Sequence, residues 1–152
     1  MRYEAYMSLI DHAIRQAWLH HLYLDHGNFE SVAGPLYIAT ASSNIFVRST
    51  LSHQLRTAAS EEILKTNTFI DREGIYLAVD RAFRSLSTLL GEDDYFFGKN
   101  KPGLFDASFF AYGHLLLSEK MRWQSTRLSE NLKQYDNLAQ FCERIATKYF
   151  TN

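Results

Sequence analysis

Residues 102–117 read PGLFDASFFAYGHLLL, and this stretch says more about the fold than any other part of the chain. A helix over Leu104–Leu117 would be apolar almost all round, which is typical of a helix that is buried on every side. With Gly103 as the N-cap, Asp106 falls at the third helical position, where its carboxylate can accept hydrogen bonds from the free amides of the first turn. Pro102, Gly103 and Asp106 therefore predict a structural N-cap at the start of a buried central helix.

The segments around this helix also have a helical spacing of apolar residues. The i, i+3, i+4, i+7 pattern predicts helices over residues 3–24, 46–66, 71–90, 126–133 and 136–149. Asp71 is the expected N-cap of the third of these helices, and Gly91 is its expected stop. The first helix should end at Gly27 and Asn28. Strand signals are weak throughout, so the prediction is an all-α bundle of five or six helices around a buried central one.

One segment is harder to interpret. Residues 29–47 contain Pro35 and a small polar cluster, which favour irregular or short helical structure. In the last helix, Asn137 and Gln140 are candidates for a capping box. Residues 91–103 are expected to form a loop.

Composition restricts the class of protein. The chain has 152 residues with 16 basic and 17 acidic side chains, so we expect one domain over residues 1–152 and no nucleic-acid partner. The single cysteine, Cys142, excludes an internal disulfide and fits a reducing compartment. No apolar run reaches the roughly 18 residues of a membrane-spanning helix. The first residues also lack the apolar core of a secretory signal.

A search for catalytic chemistry gives no convincing site. His20 and His21 are adjacent and would point in different directions from a helix, so we interpret them, with His26, as surface or helix-end residues rather than metal ligands. His114 is expected to be a satisfied core histidine, and Cys142 a small packing residue. Nucleophile elbows and phosphate-binding glycine motifs are absent from the sequence. We therefore predict no catalytic residue, no cofactor and no metal.

One block of sequence resembles a known family. It begins with Leu90-Gly91-Glu92-Asp93-Asp94-Tyr95-Phe96-Phe97-Gly98 and continues through Pro102 to Leu104-Phe105-Asp106-Ala107. This block is similar to the metaxin version of the glutathione-transferase C-terminal fold. The resemblance covers most of the chain and is strongest over residues 82–150. The region of Pro35 to Asn44 and the helix of Trp18 look more like fungal metaxin relatives than animal ones.

The resemblance implies a function without catalysis. Metaxin-like proteins are subunits of the sorting and assembly machinery, on the cytosolic side of the mitochondrial outer membrane, and they support import and assembly of β-barrel precursors. The expected partners are the barrel-forming core subunit, a second metaxin-like subunit and the precursors, with peripheral membrane association through those partners. The thioredoxin-like half of the full pattern is missing from these 152 residues. Two alternatives stay open: the C-terminal domain of a glutathione-transferase-related enzyme, and an interaction domain of another pathway.

Aromatic residues outside the predicted core are the candidate protein-binding residues, because aromatic and arginine side chains dominate interface energetics. Trp123 with Arg122, in the polar stretch after the central helix, is one candidate pair. Tyr37, Ile38 and Phe46, in the irregular apolar segment, form the other group. Core packing is the alternative interpretation for that second group.

Overall fold

The computed structural model describes residues 2–151 and is all-helical, which confirms the predicted fold class. Those residues contain no β-strand, and short 3-10 turns occur at Phe96–Gly98 and Glu119–Met121. There are seven helices in this part of the chain: α1 (residues 2–24), α2 (residues 26–38), α3 (Ile45–Leu64), α4 (Arg72–Leu90), α5 (Leu104–Leu117), α6 (Arg127–Lys133) and α7 (Asp136–Phe150). The predicted number of helices, five or six, is too low because residues 26–38 form an additional helix.

The first helix ends at a different residue from the one predicted. It contains π-helical turns at Leu9–Ile14 and His20–Leu24. At the end of the second of these turns, the amide of Asp25 donates to the carbonyl of His20, five residues earlier. Asp25 then adopts extended backbone with a ψ of 119°, and its Oδ1 accepts a hydrogen bond of 2.9 Å from the amide of Asn28. The predicted stop at Gly27 and Asn28 is wrong because Asp25 both ends α1 and caps α2.

Helix α2 passes through Pro35 without a break, so residues 29–38 take the short helical alternative of the prediction rather than the irregular one. Its later part, Phe29–Ile38, is a π-helix, in which each turn contains more residues than in an α-helix. The amide of Ala39 accordingly donates to the carbonyl of Gly34, five residues earlier, at 2.8 Å. We attribute the tolerance of Pro35 to this winding, which moves the preceding turn away from the place where a proline ring normally clashes. Residues 39–44 form the loop to α3.

Both predicted ends of α4 are confirmed. Asp71 Oδ1 accepts a hydrogen bond of 3.1 Å from the amide of Gly74, and Gly91 has a φ of +56°, which favours glycine. The predicted capping box of α7 is wrong. The side-chain nitrogen of Asn137 instead donates to the carbonyls of Ser87 and Gly91 at 2.9 and 3.0 Å, so it joins α7 to the end of α4.

The core lies where α1, α4, α5 and α7 meet. Its centre is a cluster of edge-to-face and tilted aromatic rings with centroids 4.9–6.5 Å apart, contributed by Phe83, Phe96, Phe105, Phe109 and Phe141. Helices α5 and α7 pack closely because Gly113 has no side chain. A Cβ atom at that position would lie 2.6 Å from the Sγ of Cys142.

Helix α5 is buried on one face only, so its predicted burial on every side is wrong. Phe109 and Leu116 face the core, whereas 74% of Leu104 is exposed and His114 also lies at the surface. The predicted core histidine is therefore an exposed one, and its ring stacks on Phe110 at 4.9 Å. The prediction failed because α1, α6 and α7 contact one side of α5, whereas the other side is an exposed stripe of Leu104, Ala107, Ala111 and His114.

None of the helices formed by residues 2–151 is both long enough and apolar enough to cross a membrane.

Candidate functional site

The carboxylate of Asp106 lies at the start of α5 and accepts two backbone hydrogen bonds. Its Oδ2 bonds to the amide of Gly103 at 2.8 Å, and its Oδ1 bonds to the amide of Phe96 at 2.9 Å. Asp106 is buried, so water cannot replace these contacts. The arrangement fixes the loop that follows α4 against the first turn of α5, and Pro102 precedes it in the chain. It is a structural contact rather than a reactive one.

A buried polar cluster joins α1, α2 and the segment before α6. The side chain of Asn28 donates to the carbonyls of His21 and Ser125 at 3.0 and 3.2 Å, and its Oδ1 accepts from the amide of Ser125 at 2.8 Å. Asn28 and His21 are both fully buried. The amide side chain of Asn28 therefore joins the backbone of His21 to that of Ser125, which lies 97 residues after Asn28 in the chain.

His21 completes this cluster by joining it to α4. Its Nε2 lies 3.3 Å from the Nδ2 of Asn28, which is a donor, and its Nδ1 lies 3.1 Å from the hydroxyl of Tyr76. Since Nε2 faces a donor, we assign the proton of the neutral ring to Nδ1, which then donates to Tyr76. Burial lowers the pKa of His21 to about 4 and raises the pKa of Tyr76 to about 12, so both groups are neutral near pH 7.

His20 is buried as well, so neither of the adjacent histidines is a surface residue, and both lie in the last turn of α1, which fits the helix-end alternative. The rings of His20 and His21 both pack against Tyr76, with centroids 5.8 and 6.5 Å from its ring. They are buried because α1 runs between α4 and the segment that carries Trp123. Burial lowers the pKa of His20 too.

An ion pair covers the outer side of this cluster. The guanidinium of Arg127 donates to both carboxylate oxygens of Glu73, at 2.9 and 2.7 Å, and lies 4.0 Å from the ring centroid of Tyr76. Hydrogen bonding to Arg127 lowers the pKa of Glu73 to about 2. This pair connects α4 to α6 over the ring of Tyr76.

The two residues of the candidate pair Trp123 and Arg122 have different environments. The Trp123 indole is half-buried; its Nε1 donates to the carbonyl of Leu115 at 3.0 Å, and its ring lies 4.8 Å from that of His21. Trp123 therefore packs over the polar cluster, and only Arg122 is exposed. Arg122 has a φ of +57°, which is uncommon for a residue other than glycine.

The second candidate group is divided in the same way. Ile38 is 4% exposed and packs with Phe29 and Val32, whereas Tyr37 and Phe46 are 48% and 81% exposed. The structure thus brings Tyr37 and Phe46 to the surface near the loop between α2 and α3.

The remaining side chains with nucleophilic or metal-binding chemistry are either buried in the core or separated from one another. Cys142 is buried, and burial raises the pKa of its thiol to about 12. His26 is exposed and pairs with Glu30 at 3.3 Å. Over residues 2–151, no three His, Cys, Asp or Glu side chains lie close enough together to hold a metal ion.

Comparison with known proteins identifies the family. The model of the glutathione S-transferase C-terminal domain matches residues 79–145, close to the region where the sequence resemblance is strongest. Metaxin-3 of Danio rerio is 33% identical over 97% of this chain, and Metaxin-2 of Mus musculus is 30% identical over 97%. The chain belongs to the metaxin family. Metaxin-1 of Macaca fascicularis is a further relative, at 27% identity over 96% of the chain.

The similarity covers only part of each metaxin relative. The chain spans about half the length of the curated relatives it matches: 48% of Metaxin-3, 54% of Metaxin-2 and 47% of Metaxin-1. The resemblance of residues 35–44 to fungal relatives stays a prediction.

Sequence reasoning missed the polar cluster of this metaxin-family domain. Tyr76 lies 55 residues from His21, and Ser125 lies 97 residues from Asn28, so no local motif links the members of the cluster. One signal was available: Asp25 precedes Asn28 by three residues, which is the spacing of an N-cap. That cap would have placed Asn28 in the first turn of a new helix, beside the end of α1.

Proposed function

We propose that this chain is a non-enzymatic part of a subunit of the mitochondrial outer-membrane sorting and assembly machinery. In that role it supports import and assembly of β-barrel precursors through protein–protein contacts. Its family membership carries the proposal, because the match to metaxins extends over nearly the whole chain. The structure adds support, since the buried polar groups His21, Asn28 and Asp106 serve to hold helices and loops together.

The proposal includes a domain organisation and a location. Residues 1–152 would form a single domain of the glutathione-transferase C-terminal type and would lie on the cytosolic face of the outer membrane. The proposed partners are the barrel-forming core subunit, a second metaxin-like subunit and β-barrel precursors. The exposed residues of the candidate set are the proposed contacts, and Arg122 is the one that lies outside the apolar loop region.

Arg122 provides a direct test of protein contact. Arg122→Glu reverses an exposed charge at a turn, and we expect it to weaken retention of the second metaxin-like subunit at least tenfold if the two surfaces pair through this charge. Arg81→Glu is the matched control, because Arg81 is also an exposed arginine but lies on α4. Equal retention by the two variants would remove Arg122 from the interface.

The alternative is the C-terminal domain of a glutathione-transferase-related enzyme, which the description of the matching family model favours. That enzyme would bind glutathione, remove its thiol proton and form a bond between the thiolate sulfur and an electrophile. Retention of the full-length protein on glutathione-agarose, together with thiol-conjugating turnover, would support the enzyme and contradict the assembly role.

A further inference from the structure

An apolar tip projects where α2 ends and α3 begins. Five large apolar side chains with exposed fractions from 44% to 81% lie there, on the last turn of α2 and the first turn of α3. They are Leu36, Tyr37, Ile45, Phe46 and Val47. The loop of residues 39–44 joins the two turns, so all five belong to one end of this helix pair. We call this set the apolar tip.

The chain around the apolar tip contains no acidic residue. Asp and Glu are absent from the whole of residues 31–60, although the protein has 17 of them elsewhere. The basic residues of this tract are Arg48 and Arg56, and the loop itself carries uncharged side chains such as Thr40 and Asn44. Arg48 is exposed, and no ion pair joins it to an acidic side chain among residues 2–151. Residues 31–60 therefore give the surface next to the tip a positive charge.

A groove continues from the apolar tip between α2 and α3. It has a volume of about 790 Å³, with Phe29 and Ile38 among its apolar lining and Arg48 and Arg56 among its charged lining. Arg56 is held in place, since its guanidinium lies 5.4 Å from the ring centroid of Phe29 and donates to a backbone carbonyl of α1 at 3.5 Å. The acidic residue that lines the described groove is Glu30, whose carboxylate is 3.3 Å from the ring nitrogen of His26.

These features fit the surface of an anionic bilayer. Exposed apolar patches of this kind mark protein or membrane contacts, and charge decides between them here. The tip is a projection made of two helix ends and a loop, with aromatic and aliphatic side chains beside unpaired arginine. That combination partitions into the boundary of headgroups and acyl chains, where anionic lipids attract the basic side chains. We propose that the apolar tip inserts into an anionic phospholipid surface, with Arg48 beside the headgroups.

Direct lipid contact goes beyond the proposed function, in which partner proteins hold the chain at the membrane. It also assigns Tyr37 and Phe46 to lipid rather than to a protein partner. The two ideas can fail separately, because vesicles of pure lipid contain no assembly subunit.

Vesicle flotation tests the proposal with the 152-residue chain. The vesicles contain phosphatidylcholine alone or phosphatidylcholine with phosphatidylserine, at low and high salt. We expect the chain to float with the anionic vesicles and high salt to weaken binding. Phe46→Ser should lower partitioning roughly tenfold, and Arg48→Gln roughly fivefold on anionic vesicles only. Phe69→Ser is the matched control, since Phe69 is also exposed but follows the far end of α3, which is roughly 30 Å long.

Three results would overturn lipid insertion: no flotation with either vesicle, flotation of Phe46→Ser equal to that of the unmodified chain, or equal losses for Phe46→Ser and Phe69→Ser. Loss of a protein partner by Phe46→Ser without any vesicle binding would assign the apolar tip to that protein instead. Circular dichroism of each variant establishes that it is folded, and both phenylalanines are exposed enough to be replaced without disturbing the core.

Discussion

The Nδ1 atom of His21 lies 3.1 Å from the hydroxyl of Tyr76, and this buried contact joins α1 to α4. With Asn28 and Ser125, the pair forms a polar cluster inside an otherwise apolar bundle. Because a buried polar group is costly unless it is hydrogen-bonded, the cluster favours one arrangement of the helices around it.

Stability should fall as the pH is lowered below about 6.5. The unfolded chain takes up a proton on His21 near its ordinary pKa of 6.5, whereas the folded chain takes it up only near pH 4. The neutral ring therefore stabilises the fold above pH 6.5, and this contribution is lost as the pH falls towards 4. Urea unfolding at pH 7.5 and pH 5 should show a loss of about 2 kcal/mol from His21.

The same measurement on two variants separates His21 from other titrating groups. His21→Gln should have a smaller loss between pH 7.5 and 5, while His53→Gln, at an exposed position on α3, should behave as the unmodified chain. The lowered pKa of His20 adds a loss of the same sign in all of these proteins. An unchanged pH dependence in His21→Gln would contradict the buried neutral ring.

Asp106→Ala should lower the free energy of unfolding by roughly 2–4 kcal/mol, because it leaves the amides of Gly103 and Phe96 without a partner in a buried place. Asp71→Ala is the matched control: Asp71 caps α4 at an exposed position, and its loss should cost only about 1 kcal/mol. Equal losses in urea unfolding would mean that Asp106 acts as an ordinary cap.

Gly113→Ala should force α5 and α7 apart. The new methyl would meet the Sγ of Cys142 at 2.6 Å, and overpacking of this kind costs roughly 1–3 kcal/mol. In the double variant with Cys142→Ala, the space vacated by sulfur should accept the methyl. A double-mutant cycle should therefore give a loss smaller than the sum of the two single losses. Additive losses would show that the helix contact at Gly113 is looser than described.

Trp123 and Phe46 should differ sharply in their effect on stability. Trp123→Ala removes an indole that packs on Trp18 and His21, so we expect a loss of roughly 3 kcal/mol. Phe46→Ser removes a ring that is 81% exposed, so its effect should stay within roughly 0.5 kcal/mol. Thermal and urea unfolding of both variants would check this. If Trp123→Ala left the free energy of unfolding unchanged, Trp123 would again be a candidate surface contact.

Local signals allowed much of the helical framework to be predicted. Asp71 and Gly91 fixed both ends of α4, because a cap and a left-handed glycine act on their own neighbours. Pro35 left irregular and short helical structure both open, because the tolerance of a proline depends on the winding of the whole helix. The burial of His21 could not be predicted, since it depends on Tyr76, 55 residues away.

The candidate surface was predicted less well than the framework, for a related reason. Exposure depends on which helices cover a segment, and sequence periodicity shows only that a segment has an apolar side. Ile38 and Phe46 are both apolar and lie on either side of one loop, yet one is buried and the other exposed. Helix α5 presents the same problem, with Phe109 buried and Leu104 exposed on a uniformly apolar sequence.

We propose that this metaxin-family chain works through protein contacts in outer-membrane assembly. The decisive measurement is affinity isolation of the full-length protein from detergent-solubilised mitochondrial outer membranes, with its partners identified by mass spectrometry. If the proposed role is right, the barrel-forming core subunit and a second metaxin-like subunit are recovered in stoichiometric amounts. Recovery of the protein free of both, in a soluble fraction that conjugates glutathione, would refute that role.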